Sequence, residues 1–370
     1  MSDYTLYIEL QDPYGTKLAQ FDKFLGLDLV RAVDGIGTLV LDLDPDTNRD
    51  LFRLDGRLGV WRRPADGPLE LLTETVFLVR KVRRERLASG ERVLRITAPS
   101  ATDLLRRRIV AYAAGSAEAD QTDYADDMMK EIVAHNLGGN STDSDRDWST
   151  LLDIEPQLGL GPSVSKAFSR RNVLAVLQEL ADDAAQAGTP VHFDIVSPAM
   201  SGLEFRTYVN QRGVNRSLSG GNPLVLSEEA GTLVRPSLEE DYTEEATYVY
   251  AGGQGEGAER DVQEASDSIR IGASPFGRIE VWRDARNVAT STAVLAEATA
   301  ILRASRPRRV FTAKIADTPG VRYGVHWHWG DRLAAAYGGE SLECTVGAIR
   351  VTVADGKETI TAALREEEAL

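Results

Sequence analysis

Hydrophobic and polar residues alternate with a period of two along the first 110 residues. Within Thr38–Asp44, Leu41 and Leu43 fall on one face of the chain and Asp42 and Asp44 on the other. Such alternation predicts antiparallel strands with one solvent-facing side. The same pattern predicts further strands at Tyr4–Leu10, Leu58–Arg62, Thr75–Arg83 and Glu91–Ala98. Short strands at this spacing predict that residues 1–110 form a closed or nearly closed β-barrel.

The hydrophobic spacing changes to the helical period between residues 111 and 190. It predicts one amphipathic helix over Asp123–Asn136 and a second over Asn172–Ala187. Asp123 or Asn172 could cap the helix starts, and Gly188 is a stop signal after the second helix. We therefore predict a separate helical and mixed insertion domain over residues 111–190.

Strand character returns after residue 190. Strands are predicted at His192–Val196, Leu203–Val209, Pro223–Ser227, Ile349–Val353 and Thr359–Leu364, and a helix at Asn287–Ser305. The last two strands flank Asp355 and Gly356, a pair that specifies a tight hairpin. Because neither group of strands alone is large enough to close, residues 191–370 are predicted to form a second, discontinuous barrel with a helical insertion near residues 285–306. The predicted fold class is mixed and mainly β, with two antiparallel β-barrel domains and helical insertions.

A glycine-rich turn follows the predicted strand at 248–251. Its glycines are Gly252, Gly253, Gly255 and Gly257. Without side chains there, the backbone must turn sharply or lie close to another group. The spacing is G-x-G-x-G, whereas the dinucleotide-binding fingerprint is G-x-G-x-x-G. Acidic side chains at Glu256, Glu259 and Asp261 would also repel a phosphate, so no nucleotide or other cofactor is predicted.

Three segments carry a resemblance to a known family. They are YVYAGGQGEGAER at Tyr248–Arg260, RIEVWRDAR at Arg278–Arg286 and YGVHWHWGDRL at Tyr323–Leu333. The chain resembles the tail-hub (baseplate-hub) proteins of long-tailed bacteriophages, the siphoviruses, in which such segments recur in this order. The likeness spans roughly residues 6–364. The third segment departs from the family pattern, because two histidines and two tryptophans at 326–329 replace the usual mixture of an acid and an aromatic residue.

The resemblance implies structural roles for the residues that match these motifs, and no catalytic, cofactor-binding or metal-binding role for any of them. The matching positions are Gly252, Gly253, Gly255, Gly257, Arg260, Glu280, Asp284, Arg286, Tyr323, Gly324, Gly330 and Asp331.

The resemblance also implies where the protein acts. Both barrels would be related to the tail-tube subunit, and the chain would be a structural protein of the virion, not an enzyme, made in the host cytoplasm. Three copies would form a ring at the tail tip. One face of this homotrimer would match the sixfold tail tube or a distal tail protein ring, and the other would match threefold tip or fibre proteins. DNA would pass through the lumen.

The charge distribution bears on binding to nucleic acid. The formal net charge of −15 argues against general binding to DNA or RNA, because affinity for phosphates comes largely from Lys and Arg. Residues 111–165 carry two basic and 11 acidic side chains, which is −9 of that total. These acids form either a solvated face or part of a passage through which nucleic acid slides without adhering. No run reaches the ~18–20 apolar residues of a membrane span, so none is predicted.

One segment partly matches a calcium-binding loop. Asp143, Asp145 and Asp147 have the spacing of the opening of an EF-hand. An EF-hand needs glycine at the sixth position and glutamate at the twelfth, where this chain has Trp148 and Ile154. The mismatch predicts that no calcium binds here.

Two further features concern metal and thiol chemistry. His326 and His328 lie two apart on a predicted strand face, a spacing compatible with a shared metal, but no third ligand is near in sequence. Surface or interface histidines are the preferred interpretation. Cys344, the only cysteine, shares a strand face with Leu342 and Val346, so it is predicted to be buried.

Two other functions stay open at this stage. The acidic run at 239–245 could supply the paired carboxylates of a cell-wall hydrolase, although an exposed acidic loop has the same composition. A host-surface carbohydrate binder could use Trp327 and Trp329 to stack on sugar rings, although such a pair on a strand is more often core.

Overall fold

The computed structural model describes residues 4–88, 90–111, 119–141, 143–168, 170–286, 288, 290–316 and 318–369. The protein is mainly β, with 43% strand and 19% helix, as predicted. The strands are β1 (Tyr4–Gln11), β2 (Lys17–Phe21), β3 (Gly26–Ala32), β4 (Thr38–Leu43), β5 (Arg57–Pro64), β6 (Glu70–Leu71), β7 (Phe77–Leu78), β8 (Lys81–Arg86), β9 (Arg92–Pro99), β10 (Ala119–Tyr124), β11 (Leu152–Ile154), β12 (Ser163–Phe168), β13 (Val191–Val196), β14 (Leu203–Val209), β15 (Asn215–Arg216), β16 (Val225–Ser227), β17 (Leu233–Asp241), β18 (Tyr248–Gly252), β19 (Val262–Ser266), β20 (Glu280–Asp284), β21 (Arg308–Ile315), β22 (Arg332–Tyr337), β23 (Glu340–Ala354) and β24 (Lys357–Ala369). The α-helices are α1 (Asp103–Arg106), α2 (Ala125–Leu137), α3 (Val173–Gln186), α4 (Ser268–Gly272) and α5 (Ser291–Ala304).

The chain forms two compact units. The first comprises residues 1–236 and 313–364, and the second comprises residues 237–312 and 365–370. The domain limits predicted at residues 110 and 190 stay a prediction. Among the described residues, no helix is both long and apolar enough to span a membrane.

The first unit is organised around a large sheet that joins distant parts of the chain. Its main strand order is β17-β21-β24-β23-β3-β4-β9-β8, and β22 pairs with β23, β15 and β16. Strands β3 and β23 are antiparallel, with Leu29 opposite Val351. Both side chains are fully buried. A second sheet has the order β2-β1-β5-β6, with β7 on β5.

The predicted barrel closure is wrong for the described residues, because the sheets are open. The strands predicted for a first barrel are divided between two sheets, with β1 and β5 in one and β4 and β9 in the other. The strand predicted at Thr75–Arg83 is divided between these sheets as β7 and β8, and β2 was not predicted. Strand β2 pairs only with β1, and β8 only with β9, within the part of the chain that the structure describes. Both strands therefore end their sheets as free edges.

A helical layer packs on a three-stranded sheet in the same unit. Helices α2 and α3 bury their apolar faces together with the β11-β14-β13 sheet, where the rings of Phe193 and Phe205 stack at 6.4 Å. The side chain of Asn172 caps α3 by accepting a hydrogen bond from the backbone N of Ala175, as predicted. The N-cap of α2 is Tyr124 and not Asp123, since Tyr124 is the last extended residue before the helix.

The second unit is a small α/β layer. Its sheet has the order β19-β18-β20, in which β18 is antiparallel to β19 and parallel to β20. Helix α5 covers one face, and its Val294 and Ala298 pack on Val249 and Ala251. This helix was predicted to begin at residue 287, which lies outside the described residues; the helix of the structure begins at Ser291.

The C-terminal hairpin turns where the sequence predicts. Asp355 and Gly356, between β23 and β24, have φ angles of 51° and 70°. A two-residue type I′ turn requires positive φ at both central positions. The predicted turn is therefore confirmed. Cys344 on β23 is fully buried between Leu342 and Val346, which confirms the prediction for the thiol.

Candidate functional site

A buried cluster of charges lies within the first unit. Strand β3 places Arg31 in the inward position that Leu27 and Leu29 occupy before it, and the arginine is fully buried. Its guanidinium donates to both carboxylate oxygens of Asp194 on β13, at 2.7 and 2.6 Å. Thr102 donates to the same carboxylate at 3.0 Å. The cluster thereby ties β3 to β13.

A second arginine completes this cluster. Nε of Arg212 donates to Asp194 at 3.1 Å. Both guanidinium groups lie near the ring of Trp329, with that of Arg31 at 4.6 Å and that of Arg212 at 4.1 Å from the ring centre. Burial would raise the pKa of Asp194, but the two arginines outweigh it and hold the pKa below its usual value. Asp194 is therefore an ionised carboxylate held between two cations.

The third motif forms a loop between the strands of the large sheet. Gly324 and Gly330 have φ angles of 78° and 87°, which side chains disfavour. A Cβ on Gly330 would lie 2.9 Å from the Cβ of Arg212. Asp331 is buried and accepts hydrogen bonds from the backbone N atoms of Val214 and His328, at 2.7 and 2.8 Å. The glycines and the aspartate of this motif therefore shape the loop and fasten it to residues 212–216.

Tyr323, the first residue of the third motif, is hydrogen-bonded to the sheet that contains β5. Arg62 on β5 donates to the backbone O of Tyr323 at 3.0 Å and, through two nitrogens at 2.8 Å, to both carboxylate oxygens of Glu358. The Tyr323 ring packs edge-on against Trp327 at 5.0 Å. This arrangement connects β5, the third motif and β24 by contacts within one unit.

Close packing in the second unit explains why the turn at residues 252–257 is rich in glycine. A Cβ on Gly252 would lie 2.5 Å from a ring carbon of Trp282, and one on Gly253 would lie 2.6 Å from a methyl carbon of Val294. Gly255 has φ of 101°, and its Cβ would lie 2.3 Å from the backbone O of Glu259. The turn therefore needs glycine for close approach and for its backbone conformation. Gly257 has φ of 55° and open space around it.

Arg260 joins the first motif to the second. Its guanidinium donates to the backbone O of Gly252 at 2.8 Å, hydrogen bonds to Asp284 and lies 5.0 Å from the ring centre of Trp282. Desolvation would raise the pKa of Asp284, but Arg260 outweighs it and lowers the pKa. Arg286 is exposed and forms an ion pair with Asp284 at 3.2 Å. The first two motifs thus meet on one side of β18.

The exposed face of the second unit is aromatic and charged. Strand β20 is exposed along its whole length, and the side chain of Trp282 is 52% exposed. Glu280 accepts a hydrogen bond from Arg278 at 2.6 Å. The guanidinium of Arg278 also lies 3.9 Å from the ring centre of Tyr248. Residues 280–284 form a strand, and α5 begins seven residues later at Ser291.

The histidine pair does not share a strand face. Residues 323–330 form turns and isolated bridges, because the two glycines with positive φ break the extended pattern. Nδ1 of His326 accepts a hydrogen bond from the backbone N of Arg322, and Nε2 of His328 lies 3.1 Å from Glu70. No group of three or more potential metal ligands occurs in the described ranges. Trp327 and Trp329 are both only 2% exposed, so they are core residues and do not offer their rings at the surface.

Sequence reasoning missed Arg31, Asp194 and Arg212. A signal was present, because Arg31 continues an inward alternation of leucines and Asp194 interrupts the apolar strand VHFDIV. A buried charge requires a partner, and the sequence does not show that the side chains of Arg31 and Asp194, on strands of two different sheets, meet.

The fold is similar to those of solved phage tail proteins. The tail protein from Neisseria meningitidis MC58 matches with a TM-score of 0.56 and 13% identity, over 98% of this chain and 96% of that chain. The 43 kDa tail protein of prophage MuSo2 from Shewanella oneidensis matches with 0.54 and 12%, over 97% and 98%. The prophage tail protein gp18 from Listeria monocytogenes EGD-e matches with 0.51 and 10%, over 97% and 94%. At these identities the likeness shows the fold.

Comparison with curated proteins gives no match. A family comparison gives one that covers nearly the whole chain, since residues 7–364 match the siphovirus ReqiPepy6 Gp37-like proteins. The chain belongs to the siphovirus ReqiPepy6 Gp37-like protein family and is a structural protein of the phage tail or baseplate type.

Proposed function

We propose that this protein is a tail hub, of which three copies form a ring at the distal end of the tail tube. The ring adapts the sixfold symmetry of the tube to the threefold symmetry of the tip and leaves a passage for DNA. The observation that carries the proposal is family membership over residues 7–364. The tail-protein fold along almost the whole chain supports it.

The open sheets are consistent with assembly. A free sheet edge presents unpaired backbone N–H and C=O groups, which another chain can pair. Strand β2 ends one sheet of the first unit and β8 ends another. Heterologous contacts between three copies, repeated around an axis, close into a finite ring. In this proposal, the free edge strands of one copy pair with strands of the neighbouring copy.

The acidic segment favours a lumen that DNA does not stick to. Asp143, Asp145 and Asp147 are exposed and add negative charge to the surface. Asp126 and Asp127 lie in the same segment but are buried in α2, so they do not contribute to such a surface. The proposal assigns the exposed acids of residues 143–153 to the wall of the passage, where they repel phosphate groups.

The proposed neighbours are a tail-tube or distal tail protein ring on one face and tip or fibre proteins on the other. The protein acts by shape and symmetry, with no catalytic step. A cell-wall hydrolase would need an acid–base pair in a cleft. The acidic run at 239–245 does not favour one, since Glu239, Glu240, Asp241 and Glu244 are exposed and Glu245 is in an ion pair with Arg270.

The proposal is tested by mixing the purified chain with the tail-tube protein of the same phage. Light scattering should give a particle that contains three chains of 40.4 kDa, and particle images should show a threefold ring with an open centre. A chain that stays a compact monomer in the presence of the tube protein would contradict the proposal.

A further inference from the structure

The large sheet ends in two strands of opposite charge. In its main strand order, β8 is the last strand at one end and β17 is the last at the other. Within the described part of the chain, β8 pairs only with β9, and β17 only with β21. A strand with one neighbour leaves the N–H and C=O groups of its other side unpaired, so a strand of another chain can pair there.

The edge at β8 is strongly basic. Residues 80–95, which contain β8 and the first half of β9, carry seven basic and two acidic side chains in a chain whose net charge is −15. Lys81, Arg84 and Arg86 on β8 are exposed, and none of them forms an ion pair with a described residue. Their positive charge is therefore available to a partner.

The edge at β17 is acidic. Residues 237–245, which run from the second half of β17 into the loop that follows it, carry five acidic side chains and no basic one. Glu239, Glu240 and Glu244 are exposed, and no described residue forms an ion pair with them. Pro236 lies within β17, and sheets tolerate proline on their edge strands because it has no N–H to donate.

These charges decide which edges can pair. Two β8 edges placed side by side would bring cations together, and two β17 edges would bring carboxylates together. Like charges opposite one another in a sheet are destabilising, and charged edges commonly protect proteins against self-association in this way. A β8 edge and a β17 edge attract one another, because each supplies the countercharges that the other lacks.

A contact between unlike edges is heterologous. It uses β8 of one copy and β17 of the next, so the same contact can repeat around an axis until a ring closes. Strand β2, the other free edge of the first unit considered above, is not suited to a contact of this kind. Its one charged side chain, that of Lys17, is already paired with Glu9 at 3.2 Å.

We propose that the basic edge of β8 in one copy binds the acidic edge of β17 in a second copy of this chain, as neighbouring strands of one sheet. This inference rests on the proposed ring and names the contact that joins its copies. The ion pairs of the contact lie between exposed side chains, so salt screens them and should weaken the association.

The test reverses the charge of each edge. Lys81→Glu with Arg84→Glu makes the β8 edge acidic, and Glu239→Lys with Glu240→Lys makes the β17 edge basic. Sedimentation velocity of each full-length variant over a concentration series should show association weakened about tenfold or more, because like charges then face one another. The chain with all four substitutions has complementary edges again and should associate as the wild type does.

Two controls separate this contact from a general effect of charge. Lys23→Glu with Arg53→Glu changes the net charge as much as the β8 reversal does, on exposed residues outside both edges, and should leave association unchanged. An equimolar mixture of the two edge variants should associate although neither does so alone. Unchanged melting temperatures confirm folding, and if the β8 reversal does not fold, Lys81→Gln with Arg84→Gln replaces it and should also weaken association.

Loss of association in each edge variant and its recovery with all four substitutions support the contact. It is overturned if the wild type stays monomeric throughout the series, if the edge variants associate as the control does, or if neither the mixture nor the chain with all four substitutions recovers. The number of copies tests the hub proposal separately. Assemblies of two copies that respond to the reversals would contradict the threefold ring alone, and three-copy rings that ignore them would contradict the contact alone.

Discussion

Removing the charge of Asp194 should destabilise the first unit more than breaking an exposed ion pair does. Asp194 is 2% exposed and is the carboxylate that compensates the buried guanidinium groups of Arg31 and Arg212. Asp194→Asn keeps the shape of the side chain and leaves two cations with no full countercharge. Breaking a buried ion pair in this way costs about 3–5 kcal/mol. For a protein of this size, that corresponds to a fall in melting temperature of roughly 4–8 °C.

The matched control lies on β3, the strand that carries Arg31. Asp28 on β3 accepts two hydrogen bonds at 2.8 Å from Arg350 on β23, but that arginine side chain is 58% exposed. Because exposed pairs contribute about 0–1 kcal/mol, Asp28→Asn should change the melting temperature by little. Adding Arg31→Met to Asp194→Asn should recover part of the loss, since it removes one of the unpaired buried cations.

Differential scanning calorimetry of the three variants and the wild type provides the measurement. The difference between wild type and Asp194→Asn should be full above pH 3.8, the usual pKa of an aspartate, and should shrink as pH falls through the lowered folded-state pKa. If Asp194→Asn and Asp28→Asn lose the same stability, the buried cluster does not hold the first unit together as we argue.

Other predictions concern turns, pH and metal. Gly255→Ala should destabilise the second unit by about 1–3 kcal/mol, because Gly255 has positive φ and its added Cβ would meet backbone atoms. Gly272→Ala should be nearly neutral, because open space surrounds Gly272. Hydrogen exchange of β18 and β19 measures both effects, and equal protection in the two variants would refute the packing argument. Gly356→Val should cost about 1–3 kcal/mol for the same conformational reason, and an unchanged melting temperature would contradict the turn assignment. His192 is hydrogen-bonded to Asp34 at 2.7 Å. Burial would lower its pKa, but this partner raises the pKa above 6.5, so the stability that wild type has over His192→Gln should be full below pH 6.5 and disappear as pH rises through the raised pKa. A difference that grows towards pH 9 would have the wrong sign. Finally, a chelator should leave the melting curve unchanged, and a loss of several degrees would reveal a bound metal.

Local structure could be predicted from the sequence wherever the signal was local. The alternation of Leu39, Leu41 and Leu43 specified β4, and all three side chains are buried. Asn172 and Gly188 marked the ends of α3, and Gly188 has the φ of 90° expected of a terminating glycine. Such signals depend on neighbours within a few residues.

Sheet closure could not be predicted, because alternation does not specify a partner strand. The pairing of β3 with β23 joins residues more than 300 positions apart, and nothing in either strand names the other. The division of β1 and β4 between two sheets is equally invisible in their patterns. The expectation of barrels came from strand number and spacing alone.

The candidate site could be predicted only in part, because the sequence does not show which distant residues its motifs contact. The glycine motif marked a close approach, but only the structure shows that the Trp282 ring is what requires Gly252 to lack a side chain. The histidine pair was assigned to a strand because histidines and tryptophans alternate at residues 326–329, as polar and apolar residues do in a strand. In the structure Gly324 and Gly330, with positive φ, turn the backbone there.

The copy number and position of the protein in the tail test the hub proposal most directly. A cryo-electron microscopy reconstruction of the tail tip, from the phage particle that carries this chain, would reveal both. We expect three copies around an open central passage, placed between the last ring of the tail tube and the tip proteins. Six copies, or density for the chain away from the end of the tube, would contradict the proposal.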